Sequence, residues 1–363
     1  MRIVLMLLMI LHGLIHFMGF AKAFQFGEMV QFTKEISRSM GILWFLTALL
    51  FIVAAIGFFL SKNWWPLLGI VLVVISQGLI FTTWADAKYG TIANVIILGA
   101  AIIGQSNLTF ERSFKEDVAS ALNIVAPTPE VLSEEDLAPL PLCVQKYLGY
   151  VGAVGKPKVH NVKIVFKGEM RDKGKDWFHF TSEQYNFMFS PMRLFFMKAK
   201  VMGLPTYGYH KYAHETASMQ IKLLSLFSVV DFREPELYPT ETVTYFNDIC
   251  LFAPAALVDE RISWETLDAL SAKATFNNNG TSIAAILYFN EKGQLVNFVS
   301  NDRYSVSEMK AYPFSTPVRN YKNINGYQLP SYGEATWHYP DGEFVYGKFE
   351  VVDIIYNVDD FNR

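Results

Sequence analysis

The chain has 363 residues, of which 52% are hydrophobic and 18% are charged, and its net charge is −3. This composition excludes a disordered chain, which would contain few hydrophobic residues, and a disulfide-stapled small domain, which would need more than two cysteines. The length predicts more than one folding unit. The first 106 residues carry a net charge of +3, which leaves −6 for the remainder. We expect no nucleic-acid binding, because neutralising phosphates requires a basic surface.

Four apolar segments in the first third of the chain have the length of membrane-spanning helices. A helix rises about 1.5 Å per residue, so about 20 residues cross the hydrocarbon core of a bilayer. The segments cover residues 3–20, 41–60, 64–84 and 89–110. Tryptophan or tyrosine stands at the ends of the last two segments, where amphipathic rings favour the membrane interface. The sequence therefore predicts a four-span transmembrane domain over residues 1–110.

The first segment also fits a second interpretation. Arg2, the apolar run and the small residues Ala21 and Ala23 around Lys22 resemble a cleavable secretory signal peptide. We favour a retained span, because three further spans follow. Lysine and arginine are equally numerous near both sides of the membrane, so the positive-inside rule does not choose an orientation. We favour the inner membrane of a bacterium, with the large domain facing the cytoplasm.

Two histidines interrupt the apolar run of the first segment. His12 and His16 are four residues apart and therefore project from one side of the helix. Polar side chains are costly inside a membrane and usually face other helices. We expect hydrogen bonds to Ser76, Gln77 or Asn94 on other spans, and a metal or proton-transfer site is the alternative.

The composition changes after residue 110. Residues 111–125 predict a juxtamembrane helix, and the four prolines between residues 126 and 141 predict a semi-rigid linker, because proline cannot continue a helix. We place this connecting segment at residues 111–141 and a soluble β domain at residues 142–363.

The pattern of the last segment predicts a large antiparallel sheet. Apolar and polar residues alternate, for example over residues 162–170, and residues 240–250 predict one amphipathic helix capped by Thr240. Glycine permits the positive φ that tight reversals need. Five glycine-containing turns separate the strands: Lys173-Gly174, Asn279-Gly280, Lys292-Gly293, Asn325-Gly326 and Asp341-Gly342. The predicted fold is multi-domain, with a four-helix transmembrane bundle followed by a curved antiparallel half-barrel wrapped around one or two helices.

The first strands of the β domain are unusually rich in aromatic residues and methionine. Methionine suits adaptable apolar binding surfaces, and an apolar concavity with a few polar groups is typical of a ligand site. We predict no cofactor and no metal. The predicted ligand-binding residues are Gln184, Phe187, Met188, Arg193, Phe196, Met202, Asp231 and Arg303.

Six patches stand in order along the β domain: LPLCVQKYLGYVGAVGKPKV, FTSEQYNF, VMGLPTYGYHKY, VVDFREPEL, FAPAALVDERISW and YGEATWHYPDGEF. Over residues 140–357 they resemble a bacterial family known only as a domain of unknown function, a label that implies no activity. The runs HGLIHFMGFAKAF and SQGLIFTTWADAKYGTIANVIILGA are similar to the membrane portion of some members. The meander containing YFNEKGQLVNF is similar to lipoprotein-carrier half-barrels, which implies acyl chains held between a curled sheet and helices.

The leading hypothesis is a membrane-anchored, non-enzymatic protein that binds membrane lipids or another hydrophobic small molecule. The first alternative is an enzyme acting on a membrane-embedded substrate, with Asp231, Glu236, His210 or His338 as acid or base. The second alternative is a structural component of an envelope complex. An internal cavity, and the character of its lining, would distinguish the three. The sequence leaves the identity of the ligand and the oligomeric state open.

Overall fold

The computed structural model describes residues 2–27, 29, 32–124, 130–233, 235–306, 308 and 310–361. The chain divides into two compact units, Met1–Phe110 and Glu111–Arg363. Each unit has its own buried apolar core. Pro127 and Pro129 of the predicted linker lie outside the described residues.

The first unit consists of apolar helices. Four helices of the described chain are long and apolar enough to cross a membrane, in agreement with the four predicted spans. The fourth is longer than predicted, because residues 111–122 continue it without a break. No glycine or proline stands between residues 105 and 122 to end the helix. The helices are α1 (Arg2–Phe24), α2 (Arg38–Phe59), α3 (Trp65–Thr82), α4 (Trp84–Ala87) and α5 (Gly90–Leu122), of which the last enters the second unit.

Polar residues of α1, α3 and α5 meet inside the first unit. His12 Nε2 lies 2.9 Å from Asn94 Oδ1, and His16 Nε2 lies 2.9 Å from Ser76 Oγ. The Asn94 amide also donates to Gln77 Oε1 at 3.0 Å. The expected hydrogen bonds between these apolar helices are therefore confirmed, and they satisfy polar groups that are buried inside the unit.

The second unit combines three short or medium helices with a large sheet. Its helices, besides the end of α5, are α6 (Glu134–Leu137), α7 (Leu142–Val151), α8 (Leu237–Phe252) and a 3₁₀ helix (Pro254–Val258). Its strands are β1 (Asn161–Met170), β2 (Phe178–Phe187), β3 (Met192–Val201), β4 (Leu204–Ala213), β5 (Thr216–Leu223), β6 (Phe227–Phe232), β7 (Ile262–Asp268), β8 (Ser271–Asn278), β9 (Thr281–Phe289), β10 (Leu295–Ser300), β11 (Tyr304–Ser305), β12 (Lys310–Ala311), β13 (Phe314–Ile324), β14 (Tyr327–Tyr339) and β15 (Gly342–Tyr356).

Thirteen of the described strands form one antiparallel sheet, in the order β6-β5-β4-β3-β2-β1-β15-β14-β13-β10-β9-β8-β7. Most neighbours are consecutive hairpins, and two of the predicted turns have the geometry expected for asparagine followed by glycine. Asn279 and Gly280 both have positive φ, as do Asn325 and Gly326, which suits tight two-residue hairpins. The first and last strands, β1 and β15, pair in the middle of the sheet.

Helix α8 shows that the sheet is strongly curved. The helix contacts β4 and β5 near one edge of the sheet and β9 and β10 near the other. In a flat sheet with strands about 4.8 Å apart, these strands would lie about 40 Å apart, whereas a helix is about 10 Å wide. The sheet therefore curls around α8. Within the described ranges its edge strands β6 and β7 do not pair with each other, so the sheet is a half-barrel and not a closed barrel.

Helix α8 begins one turn earlier than its predicted cap. Thr240 lies within the helix, and its hydroxyl donates to the carbonyl oxygen of Glu236 at 3.1 Å. Pro239 in the first turn does not prevent this start, because the first N–H groups of a helix have no partner inside it. Thr240 and Glu241 therefore lie within the helix, and both are buried.

The end of α5 packs on the outer face of β2, β3 and β4. The Phe114 ring centroid lies 5.4 Å from that of Phe196 and 5.6 Å from that of Tyr209. Asp117 accepts hydrogen bonds from the Tyr209 hydroxyl at 2.6 Å and from the Lys211 ammonium at 2.7 Å. The outer face of these strands is thus covered by a helix, and their inner face is turned towards α8.

Candidate functional site

A cavity of about 770 Å³ lies between the inner face of the sheet and α8. Residues of β1 to β6 and the turn after β1 line one side, α8 lines another, and β13 to β15 together with the segment around β11, which includes Arg303, line the rest. The volume falls within the range of about 300–1,000 Å³ that is typical of small-molecule sites. Asp172, Lys173 and Glu308 belong to the lining and are exposed, so the cavity opens to solvent at this end.

Strand periodicity decides which side chains enter the cavity. Successive side chains of a strand point to opposite faces of the sheet. On β3, Arg193, Phe195 and Met197 line the cavity, whereas Phe196 points to the outer face and packs on Phe114.

Apolar groups contribute most of the cavity surface, and aromatic and methionine side chains predominate among the apolar lining residues. The apolar lining residues are Phe166, Met170, Phe178, Phe195, Met197, Met219, Ile221, Val230, Leu251, Phe252, Val306, Phe314, Val318, Pro330, Ala335, Trp337, Phe344, Phe349 and Val351.

A cluster of buried polar groups joins β2 and β3 to α8 at one part of the cavity. Arg193 Nε donates to Asp248 Oδ2 at 2.7 Å, and Arg193 Nη1 lies 3.2 Å from Glu241 Oε2. Arg193 Nη2 donates to Gln184 Oε1 at 3.0 Å, and the Gln184 amide donates to Asp248 Oδ2 at 2.7 Å. All three guanidinium nitrogens therefore have partners, and the cluster meets the requirement that buried charges be paired.

His210 on β4 lines the cavity beside this cluster. Its Nδ1 lies 3.9 Å from Glu241 Oε1. Burial lowers the pKa of His210 to about 4, the nearby Glu241 carboxylate opposes this shift, and the Arg193 and Arg303 cations reinforce it. The imidazole is therefore neutral at pH 7 and contributes polarity to the lining without a charge.

Arg303 lines the cavity in a different setting. Its guanidinium carbon lies 3.9 Å from the ring centroid of Phe314, 5.0 Å from that of Trp337 and 5.8 Å from that of Tyr346. Nη1 donates to the Tyr346 hydroxyl at 2.9 Å, and the buried Nε has no hydrogen-bond partner in the described part of the chain. Cation–π attraction thus holds the guanidinium over the aromatic rings.

Asn247 on α8 faces the same strand as Arg303. Its Nδ2 donates to Thr316 Oγ1 at 2.9 Å, while its buried Oδ1 has no partner among the described residues. Thr316 and Phe314 are two residues apart on β13 and share one face of the sheet. Asn247 and Arg303 therefore contact two residues of β13, Thr316 and Phe314, that share one face of the sheet.

Three of the eight predicted ligand-binding residues, Gln184, Arg193 and Arg303, line the cavity together. Phe187 lines a separate pocket of about 250 Å³ with Ala121 of α5. The other four lie elsewhere. Met188 is buried in the core of the second unit, Phe196 packs on the outer face, Met202 is 97% exposed at the β3–β4 turn, and Asp231 is an exposed partner of Gln220 and Arg233.

The structure does not bring together the four residues of the enzymatic alternative. His210 lines the cavity, but Asp231 and Glu236 are exposed. His338 Nε2 lies 2.8 Å from Ser315 Oγ, and His338 is not part of the cavity lining.

Two carboxylates of the site, Glu241 and Asp248, were not among the predicted residues. They are seven residues apart on α8, a spacing of two helical turns that places them on one face. Thr244 lies between them on the same face and also lines the cavity. The sequence signal for this polar face of α8 is therefore the spacing of residues 241, 244 and 248 in a helix whose other residues are mostly apolar.

Comparison with known proteins gives a structural likeness and a family. No curated protein matches the chain. The crystal structure of a LolA superfamily protein from Nitrosomonas europaea is similar, with 11% sequence identity, a TM-score of 0.32, and coverage of 60% of this chain and 95% of that chain. The model of a family of unknown function (DUF6544) matches residues 130–349, which confirms the resemblance seen in the sequence patches; the chain belongs to this family.

Proposed function

We propose that this protein is a membrane-anchored, non-enzymatic binding protein for a hydrophobic, lipid-like ligand. The observation that carries the proposal is the cavity of about 770 Å³, lined mostly by aromatic, aliphatic and methionine side chains. Such a lining with a few polar groups at defined places is the usual form of a site for a small apolar molecule.

The dense packing around the cavity supports the binding of a hydrophobic ligand inside it. Protein interiors are packed about as densely as organic crystals, whereas this solvent-accessible cavity leaves apolar side chains in contact with water. The rest of the domain core is tightly buried, including Phe246, Phe276 and Phe298 on the far side of α8. A large apolar space beside so dense a core is more stable when a hydrophobic molecule fills it.

The apolar helices of the first unit supply the anchor in this proposal. Four described helices have the length and hydropathy of membrane spans. We propose that they lie in the inner membrane of a bacterium and that the second unit faces the cytoplasm. A protein held at a bilayer has a local supply of lipids, which suits holding or presenting a lipid better than carrying it between membranes.

The test is to purify the full-length protein in a mild detergent, extract bound lipids and identify them by mass spectrometry. Binding of a fluorescent fatty acid to the delipidated protein is measured in parallel. Two adjacent residues of β5 give matched variants: Ile221 lines the cavity, whereas Gln220 points to the other face and bonds Asp231. We expect Ile221→Trp to reduce binding by projecting a larger ring into the apolar part of the cavity, and Gln220→Trp to leave it unchanged.

Three results would overturn the proposal. One is an extract without lipid combined with no binding of the fluorescent fatty acid. Another is equal binding by Ile221→Trp and the unaltered protein, which would place any bound lipid outside the cavity. The third is conversion of the bound lipid to a chemically different product, which would favour an enzyme.

A further inference from the structure

The two cavity arginines differ in how many of their hydrogen-bond donors are used. Arg193 bonds through Nε, Nη1 and Nη2 to Asp248, Glu241 and Gln184. The Arg303 side chain forms one hydrogen bond within the described residues, from Nη1 to the Tyr346 hydroxyl. A guanidinium carries five N–H donors and is always charged. Arg303 therefore has unused donors and a full positive charge at the cavity wall.

The surroundings of Arg303 do not neutralise that charge with an anion. No carboxylate of the described chain forms an ion pair with it, and the ring centroids of Phe314, Trp337 and Tyr346 lie 3.9, 5.0 and 5.8 Å from its guanidinium carbon. Aromatic faces attract a cation without using its N–H donors in the plane of the guanidinium. The rings therefore hold the Arg303 side chain in place, and the N–H donors at the edge of its guanidinium can bind another group.

A second cavity-lining side chain, that of Asn247, also has a buried polar atom without a hydrogen-bond partner among the described residues. Asn247 is 93% buried, lines the cavity and donates to Thr316, but its Oδ1 has no partner among the described residues. The side-chain oxygen and nitrogen of asparagine are assigned from their contacts, and whichever way the amide lies, one of its two polar atoms has no partner. Buried polar atoms without partners are rare in native proteins, and an absent ligand is one explanation for them.

We propose that the Arg303 end of the cavity is an anion subsite, and that the ligand is an amphiphile with a carboxylate or phosphate head group bound to the Arg303 guanidinium. This inference rests on the proposed function, which supplies the apolar chain of the same ligand. The methionine and phenylalanine side chains of β1, β3 and β5 would surround the chain. The paired Arg193 cluster would remain structural, because its charges are already satisfied inside the protein.

The test compares probes that share one chain and differ in the head group. Oleate, methyl oleate and lysophosphatidate with an oleoyl chain compete with a fluorescent fatty acid for the full-length protein in detergent. An ion-paired hydrogen bond contributes about 1.5–3 kcal/mol, or roughly 10-fold to 150-fold in affinity. We expect oleate to bind at least tenfold more tightly than methyl oleate. Tighter binding of lysophosphatidate than of oleate would identify phosphate as the natural head group, and the reverse order would identify carboxylate.

Substitutions of Arg303 test whether this residue causes the preference for oleate over methyl oleate. We expect Arg303→Gln to weaken oleate binding at least tenfold and to leave methyl oleate binding within a factor of about 3, while Arg303→Lys retains part of the preference. Arg233→Gln is the matched control, because Arg233 is an exposed arginine paired with Asp231 outside the cavity.

Equal binding of oleate and methyl oleate by the unaltered protein would overturn the anion subsite and leave the hydrophobic site standing. The same conclusion would follow if Arg303→Gln weakened both probes equally. If Arg303→Gln fails to fold, the head-group comparison on the unaltered protein decides alone. If no probe binds and no lipid is extracted, the proposed function itself fails.

Discussion

Arg193 Nε donates a 2.7 Å hydrogen bond to Asp248 Oδ2, and this contact joins strand β3 to helix α8 across the candidate site. Both side chains are almost completely buried. A charge in such a place is stable only while it is paired and hydrogen-bonded. The pair therefore holds the helix at a fixed position inside the curved sheet, and it sets the shape of the cavity between them.

Replacing Arg193 should be strongly destabilising. Arg193→Ala leaves the carboxylates of Asp248 and Glu241 without their common partner, and breaking a buried ion pair in this way costs about 3–5 kcal/mol. We expect this loss in the free energy of unfolding of the second unit, measured by denaturant unfolding of the purified protein followed by tryptophan fluorescence.

The control for this prediction is Arg233→Ala, which removes an exposed ion pair with Asp231. Exposed pairs contribute about 0–1 kcal/mol, so this variant should unfold close to the unaltered protein. Equal stability losses in the two variants would contradict a special role for the buried pair.

Acidification should destabilise the second unit through His210. Burial lowers the folded-state pKa of His210 to about 4, with Arg193 and Arg303 reinforcing the shift and Glu241 opposing it. The unfolded-state pKa is about 6.5. Between these values the unfolded chain binds a proton that the folded chain excludes, so stability is complete above pH 6.5 and falls as the pH approaches 4. The loss from this residue reaches up to about 3 kcal/mol.

Measuring the free energy of unfolding at pH 7 and pH 5 checks this dependence. His210→Gln removes the titrating group while keeping a polar side chain in the cavity wall. We expect the variant to lose less stability than the unaltered protein between the two pH values. An identical pH dependence in both proteins would show that other groups cause it.

Removing the Phe114 ring should release the end of α5 from the sheet. Phe114 is 1% exposed and packs against the rings of Phe196, Tyr209 and Tyr185. Replacing such a phenylalanine by alanine costs about 3–5 kcal/mol, because a cavity remains. Phe114→Ala should therefore lower the unfolding free energy of the second unit by this amount. The exposed Phe227 provides the control: Phe227→Ala should change it by less than about 1 kcal/mol.

The hydrogen bonds inside the first unit should contribute modestly to its stability. His16 Nε2 lies 2.9 Å from Ser76 Oγ, and hydrogen bonds between membrane helices average about 0.6 kcal/mol and reach about 2 kcal/mol. His16→Leu should lower stability by about this amount in detergent unfolding assays. In a double-mutant cycle with Ser76→Ala, the two effects should not add, and full additivity would contradict a direct interaction.

The four long apolar helices and two tight turns of this protein are predictable from local signals. The apolar helices follow from the length of uncharged runs, and the Asn279-Gly280 and Asn325-Gly326 turns follow from the positive φ that these residues tolerate. Such features depend on a few neighbouring residues and not on the tertiary structure. Helix α7 (Leu142–Val151) was not predicted.

The candidate site is only partly predictable, because it depends on which face of each strand points inwards. Arg193 and Phe196 are three residues apart, as are Gln184 and Phe187, so the members of each pair must point to opposite faces of the sheet. A prediction that selects residues by type, without strand register, therefore mixes both faces. The register of β3 is fixed by distant partners, namely α5 on one side and α8 on the other.

The pairing of β1 with β15 has a consequence for how the second unit forms. Val162 pairs with Tyr356, so the seam at the middle of the sheet joins the beginning of the domain to its end. The cavity draws Arg193 from one half of the sheet and Phe314 from the other. During synthesis the seam between the two halves can therefore form only after β15, the last strand of the sheet, has left the ribosome. A chain truncated ahead of β15 would leave β1 and β14 without their common partner strand, so its two half-sheets would not join.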